Sequence, residues 1–260
     1  MSEIRTILHR RTDLSTFVVH LTRQWDETHG AQDALVEIAR VGILEARSPL
    51  GWAKAQDDPN DQAKQSQRVV CFSETPLEHI NLMVGPIQGR RIAMEPYGVA
   101  LPKLKARKLG INPVWYIDST GGGDSHDWVL TRTLDYLRNE AVRNAQEDGN
   151  NFHDYTFAKL FPFIEQMGSW RGRPPKEFWW EREWRHVGNL QLPATSLIWL
   201  CPEDEIAHIN ERVGRELHPW LDPRWGLEEI VAHLAGFSAE DVSPFTQPPP
   251  EAPVWPNVPF

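Results

Sequence analysis

With 260 residues, 40% of them hydrophobic and 10% aromatic, the chain is long enough to bury a substantial core and has a globular composition. Lys and Arg number 27 against 36 Asp and Glu, and the resulting net charge of −9 removes any bulk attraction to nucleic acid. The two cysteines, Cys71 and Cys201, form no CxxC pair, the start lacks an apolar signal region, and no run reaches the roughly 18 apolar residues of a membrane span; together these predict a soluble cytoplasmic protein.

In chain order, Phe17 to Leu21 reads as a short apolar strand interrupted by His20. After a polar stretch from Gln24 to Gln32, Asp33 is placed to cap a helix striped by Leu35, Ile38 and Ala39, which Gly42 would end. Residues 52–67 are polar and read as an exposed loop. Arg68 to Phe72 is a second strand, closed by the turn Ser73-Glu74-Thr75-Pro76, and Pro76 would open a helical segment from Leu77 to Met83. Further strands are predicted at Tyr97–Leu101 and Pro113–Asp118. Between them Lys103, Lys105, Arg107 and Lys108 form a local basic run that reads as a solvated face.

The triplet Gly121-Gly122-Gly123 is a joint without the strand-before, helix-after setting of a phosphate cradle. A helix is predicted from Ser125 to Glu147, striped by Trp128, Thr131, Leu134, Leu137 and Ala141. Residues 157–170 are apolar and aromatic, and 171–175 read as a loop. Leu197–Leu200 is another strand. A helix follows from Pro202, with Glu203, Asp204 and Glu205 in its first turn and Ile206, Ile209, Val213 and Leu217 on its inner face. The last helix spans Leu227–Ala235. From Pro244 onward the chain is Pro-rich and extended, with Phe245, Val254, Trp255 and Phe260 able to pack on the domain surface.

The stretch Phe178-Trp179-Trp180-Glu181-Arg182-Glu183-Trp184-Arg185-His186-Val187 carries the most chemistry. Read as one strand, it points Glu181, Glu183 and Arg185 to one side and Trp180 and Trp184 to the other. The two carboxylates would then lie about 7 Å apart, at ~3.3 Å rise per residue.

Four pieces recur in a telling order. They are Val18-Val19-His20-Leu21-Thr22, the helix Ala34 to Gly42, the strand and turn Val69 to Thr75, and Glu181-Arg182-Glu183. That order resembles the ADP-ribosyltransferase superfamily. More narrowly, Cys71-Phe72-Ser73-Glu74-Thr75-Pro76-Leu77, Tyr97-Gly98, Asn112-Pro113-Val114 and Glu181 to Arg185 resemble bacterial proteins of the AbiGi type, associated with abortive phage resistance. The likeness covers residues 17–200.

The superfamily resemblance implies NAD as the substrate. Breaking the nicotinamide–ribose bond builds positive charge on the ribose, which a carboxylate can stabilise while accepting a proton from the attacking group. By the resemblance, Glu183 is the catalytic carboxylate in this role and Glu181 orients the attacking group or the acceptor. His20, with Thr22 and Arg23 beside it, would hold the ribose side of NAD, Ser73 and Thr75 would supply hydroxyls, and Tyr97 would offer a stacking face to nicotinamide. The tyrosine that other branches place near Cys71-Phe72 is absent.

Structural readings stand beside these. Alternating Arg and Glu between tryptophans also fits an ion-pair ladder, His20 a hydrogen-bonded core histidine, and Ser73 or Thr75 a helix cap. The predicted fold is α+β, a split and mainly antiparallel sheet with flanking helices, over residues 1–200. A helical segment, 201–243, packs on it and a Pro-rich tail, 244–260, follows. Two functions compete: an NAD-dependent ADP-ribosyltransferase-like effector of a phage-defence or toxin–antitoxin system acting on a macromolecule, and a non-catalytic antitoxin or regulatory subunit with a cognate defence protein as partner. A metal-dependent nuclease fits less well, because the Glu pair has no third acid beside it.

Overall fold

The computed structural model describes residues 13–52, 66–87, 93–118, 120, 129–147, 154–170 and 173–237. Strand β1 is Phe17–Leu21, as its apolar run predicts. Helix α1, Ala31–Val41, buries Leu35 and Ala39 and ends at Gly42, whose φ of 74° is left-handed. Its start differs from the expectation: Gly30 is the capping residue and Asp33 lies one turn in, its carboxylate accepting the Gly30 N–H at 2.8 Å. An acid there also meets the positive end of the helix dipole, so the sequence signal was real and displaced by three residues.

Short strands β2 (Ile43–Leu44) and β3 (Ser48–Pro49) lead to β4, Arg68–Ser73. Most of the predicted 52–67 loop lies outside the described residues, but its two ends, Trp52 and Gln67, are buried. Pro76 precedes a 3₁₀ turn, Leu77–Met83. Strand β5 is Gly98–Pro102 and a short helix α2, Lys103–Lys108, follows it. Gly98 is required here: a Cβ would stand 2.0 Å from the His20 carbonyl oxygen on β1.

The predicted strand 113–118 is broken in two. β6, Asn112–Pro113, and β7, Trp115–Asp118, enter different sheets. Proline has no N–H to extend a ladder, and the chain turns at Val114, whose N–H goes to the Glu183 carbonyl at 2.8 Å. Helix α3 is Val129–Glu147; the Gly121–Gly123 joint and residues 125–128 lie outside the described residues. Two 3₁₀ turns, Thr156–Lys159 and Phe161–Phe163, precede β8, Ile164–Trp170. The predicted loop at 171–175 is in part strand β9, Arg173–Lys176, which pairs back on β8.

The aromatic run 178–187 is not one strand. Trp179–Glu181 forms a 3₁₀ turn and only Glu183–Val187 is strand, β10. The partner sets this limit: β10 begins where Glu183 meets Ser73, the last residue of β4, so nothing remains to pair with residues 178–181. Trp179 is mostly and Trp180 partly exposed, their indole N–H groups bonded to Glu177. The remaining elements are β11 (Leu190–Gln191), β12 (Ile198–Leu200), α4 (Ile206–Val213), β13 (Trp220–Leu221) and α5 (Leu227–Ala235).

Eight strands make the main sheet, in the order β13, β12, β5, β1, β4, β10, β6, with β3 also on β4. All pairs are antiparallel except β12 with β13. Trp220–Leu221 thus ties the segment after Leu200 into the sheet. The sheet is weakest at its middle. β1 meets β4 at one register pair, Val19 with Ser73, against five pairs each for β1 with β5 and β4 with β10.

One face of the sheet carries Val18, Val70, Phe72, Val99, Leu101, Trp184 and Trp199, packed under α1 and α4. The other carries Val19, Ala100, Leu200 and Leu221, under α5 and the Leu77–Met83 turn. Beyond β10 a smaller unit of β7, β8 and β9 with α3 has its own core of Trp52, Leu134, Ala141, Ala158, Phe161 and Ile164. Gly51, at φ 91°, lets the chain pass there: a Cβ would fall 2.0 Å from the Phe161 carbonyl oxygen.

Candidate functional site

Three neighbouring strands, β1, β4 and β10, carry most of the residues singled out by sequence. Partners across a register share a face, so Val19, Ser73 and Glu183 form one row pointing to the second face, with Cys71 and Arg185 in the adjacent row. His20 belongs to the first face. Its ring lies 5.6 Å from that of Phe72, in the layer that holds Trp184. The structure therefore brings Ser73 and Glu183 together and turns His20 away from both.

Glu183 is held tightly. Arg185, two residues on and pointing the same way, donates from Nε to Oε1 at 3.0 Å and from Nη2 to Oε2 at 2.7 Å. The same guanidinium donates to Glu165 at 2.8 Å and to the Pro162 carbonyl at 2.6 Å, which ties β10 to the smaller unit. Arg185 is only 1% exposed. Burial works against its charge, but Glu183 and then Glu165 hold its pKa above the ordinary arginine value. The Cys71 thiol leans on the same carboxylate, and burial followed by Glu183 pushes it well above its usual value. A nucleophilic thiolate is thereby disfavoured. Tyr116 closes the row's end by accepting the Glu183 backbone N–H at 2.9 Å, and burial raises its phenol.

Glu181 is displaced from this row. It sits on the 3₁₀ turn, and Arg182, at φ 44°, swings the chain before the strand begins. Its charge is felt at Tyr116, along with that of Glu183. Arg182 keeps its left-handed backbone because Glu74 grips it twice: the Glu74 N–H donates to the Arg182 carbonyl at 3.1 Å, and Arg182 Nη2 reaches the Glu74 carboxylate at 2.5 Å. Glu74 also takes Lys103 at 2.9 Å and the Trp184 indole N–H at 3.0 Å. It is a buried hub that sequence reading passed over; its donors, Lys103, Arg182 and Trp184, all lie far from it along the chain and leave no local signal.

His20 donates from Nδ1 to the Cys71 carbonyl at 2.8 Å, filling the gap that the short β1–β4 ladder leaves. Burial, reinforced by the nearby Arg23 and Arg47 charges, lowers its pKa below 6.5 despite the carbonyl. The neutral ring is thus the favoured form. Thr22 is buried and donates to the Ala31 carbonyl at 2.9 Å. Arg23 follows it, half-buried and close enough for its charge to act on His20 and Cys71.

Tyr97 stands apart. Its hydroxyl donates to Glu205 at 2.8 Å, in a network that runs through Gln32 and Arg212 to Asp33. Burial, then Glu205, raises its phenol. Ser73 and Thr75 are half-buried, and no side chain caps the turn after Pro76. Lys103 of the basic run is spent on Glu74. Among the described residues no three of His, Cys, Asp and Glu gather as a metal site, and no helix is long and apolar enough to cross a membrane.

An α+β protein with a mostly antiparallel sheet, pinned by two ion-pair hubs at β4 and β10, is what these observations define. Residues 40–208 match the family model described as "Putative abortive phage resistance protein AbiGi, antitoxin", and the chain belongs to that family. No curated protein and no solved structure matches it.

Proposed function

We propose that this chain is the non-catalytic antitoxin, or regulatory binding subunit, of a phage-defence system, with a cognate defence protein as its partner. The family description, which names an antitoxin, supports the reading. The structural observation that carries it is the pairing of both Glu183 oxygens with the buried Arg185. This carboxylate is neutralised inside a buried pair that also fastens two parts of the fold together, which gives it a structural purpose without any chemistry. His20 on the opposite face, Thr22 bonded to Ala31 and Tyr97 bonded to Glu205 are each accounted for by structure.

A second reading keeps the NAD-dependent ADP-ribosyltransferase-like effector, and one observation favours it: Ser73 and Glu183 face each other in register beside the short β1–β4 ladder. In that reading NAD is the substrate and Glu183 stabilises the ribose cation as the nicotinamide bond breaks. Glu181, His20, Thr22, Arg23, Thr75 and Tyr97 would have to rearrange around it, with a macromolecule as acceptor.

One assay separates the two. Purified protein is incubated with NAD and cell lysate, and NAD loss is followed for wild type and for Glu183→Gln. The antitoxin reading expects no consumption by either. Consumption by wild type that Glu183→Gln abolishes, with the variant still folded, would overturn it in favour of the transferase.

A further inference from the structure

Helix α5 is apolar on the side it turns away from the sheet as well as on the side it buries. At 100° per residue, Ala232, His233 and Ile230 share the inner side. Ala232 and Ile230 are buried, and the His233 ring lies 4.7 Å from that of Trp220 and 4.9 Å from that of Trp225. Leu227, Val231 and Leu234, spaced i, i+4 and i+7, form the outer face and are 57%, 53% and 70% exposed. Beyond the left-handed cap at Gly236, Phe237 adds a fourth exposed apolar side chain. A helix that is apolar all round is ordinarily covered all round, so this stripe has the character of a contact surface.

The charges around the stripe select its cover. From Trp225 to Phe260 the sequence has five acids and no lysine or arginine. Glu228 stands exposed at the rim of the stripe, and Glu229, also exposed, accepts the Gly226 N–H at 2.9 Å. The nearest base along the chain, Arg224, is bound to Asp222 and Asp204. A second copy would bring the same acids to the contact with no base to answer them, on a chain whose net charge is already −9. We propose that the outer face of α5 docks a cationic amphipathic helix of the partner protein, one that lays its own apolar stripe against Leu227, Val231 and Leu234 and carries lysine or arginine beside Glu228. The partner's identity comes from the antitoxin reading, on which this rests; its docking place and its chemistry are what the helix adds. The nine residues of α5, at about 1.5 Å each, span about 13 Å, so about two to three turns of partner helix cover it. Apolar packing supplies the affinity, while the opposed charges speed encounter and exclude acidic competitors.

Two short synthetic peptides carrying a fluorescent label test this, both with leucine at i, i+4 and i+7 and with either lysine or glutamate at every polar position. Fluorescence anisotropy reads their binding to the full chain as wild type, as the double variant Val231→Ser with Leu234→Ser, and as Glu228→Lys. All three side chains are exposed, so the variants should keep the fold, which circular dichroism checks. The lysine peptide is expected to bind wild type, with affinity at least tenfold lower for the double serine variant and about threefold lower for Glu228→Lys. The glutamate peptide should bind wild type at least tenfold more weakly than its lysine twin. Equal binding of the lysine peptide to wild type and the serine variant, no binding to either, or equal binding of the two peptides overturns the proposal. So does a concentration-dependent dimer in sedimentation that the serine substitutions abolish, which would give the stripe to a second copy. NAD consumption in the assay above, with stripe-dependent peptide binding intact, would remove the antitoxin reading and leave the docking surface standing; loss of that binding without NAD consumption does the reverse.

Discussion

Glu183 opens β10 and Glu74 follows directly on its partner Ser73, yet their carboxylates serve opposite faces of the sheet and their surroundings are inverted. Glu183 and Glu165 share one cation, Arg185, which is 2% exposed at its side chain. Glu74 is one acid between two cations, Arg182 and Lys103, which keep 38% and 22% of their side chains in solvent while the acid keeps 7%. At the first hub the group cut off from water is the cation; at the second it is the acid. Desolvation is the large cost in both, so the stranded member decides what each hub tolerates. Arg185 cannot reach solvent if its acids are lost, nor can its acids be replaced by water without opening the contact to Pro162. Arg182 and Lys103 can swing outward if Glu74 is neutralised.

That asymmetry predicts an ordered series. Arg185→Met should be the most damaging, lowering stability by about 3–5 kcal/mol, because it leaves two carboxylates facing a carbonyl with no cation. Urea unfolding measures it, and a loss below about 1 kcal/mol would show that water enters the hub freely. Glu183→Gln should cost less, about 2–3 kcal/mol, since Glu165 still pairs with the guanidinium and one amide oxygen can still accept from it. No loss at all would mean that the pair is not a fastening, and would remove the main support for a non-catalytic Glu183.

What the sequence could disclose about these hubs follows from which distances are local. Alternation within β10 correctly put Glu183 and Arg185 opposite Trp184, because neighbours along a strand fix that relation. Glu181 was misassigned since the same alternation continues on paper past the point where the partner strand stops. The face of His20 was hidden for a different reason. Its strand and its neighbours were legible, but its face relative to Glu183 depends on Val19 meeting Ser73, and a slip of one residue would have reversed it. Helices α1 and α5 were readable from apolar spacing and a closing glycine. The Tyr97–Glu205 bond, 108 residues apart, and the hub that Lys103, Arg182 and Trp184 make around Glu74 had no local trace.

Glu74→Gln is the next step down. A glutamine can still accept the Trp184 indole N–H, and both cations can turn to water, so a loss of about 1–2 kcal/mol is expected in the same unfolding experiment. If it equals the loss from Arg185→Met, the exposure of the partners does not govern the cost and the contrast between the hubs fails.

The smallest effect concerns His20 and appears only with pH. Burial lowers its pKa from 6.5, so the unfolded chain takes up a proton more readily than the folded one as the solution is acidified. The stability that depends on the neutral ring is therefore present above about pH 6.5 and is lost as pH falls towards the depressed folded value. His20→Asn keeps a donor for the Cys71 carbonyl but cannot be protonated in this range. Unfolding free energy measured from pH 7.5 to 5 should consequently fall less steeply for the variant than for wild type, the two curves diverging below about pH 6.5. Parallel curves would mean that the imidazole titrates as if in water, and with it would go the view that the gap between β1 and β4 is closed by a dry, neutral ring.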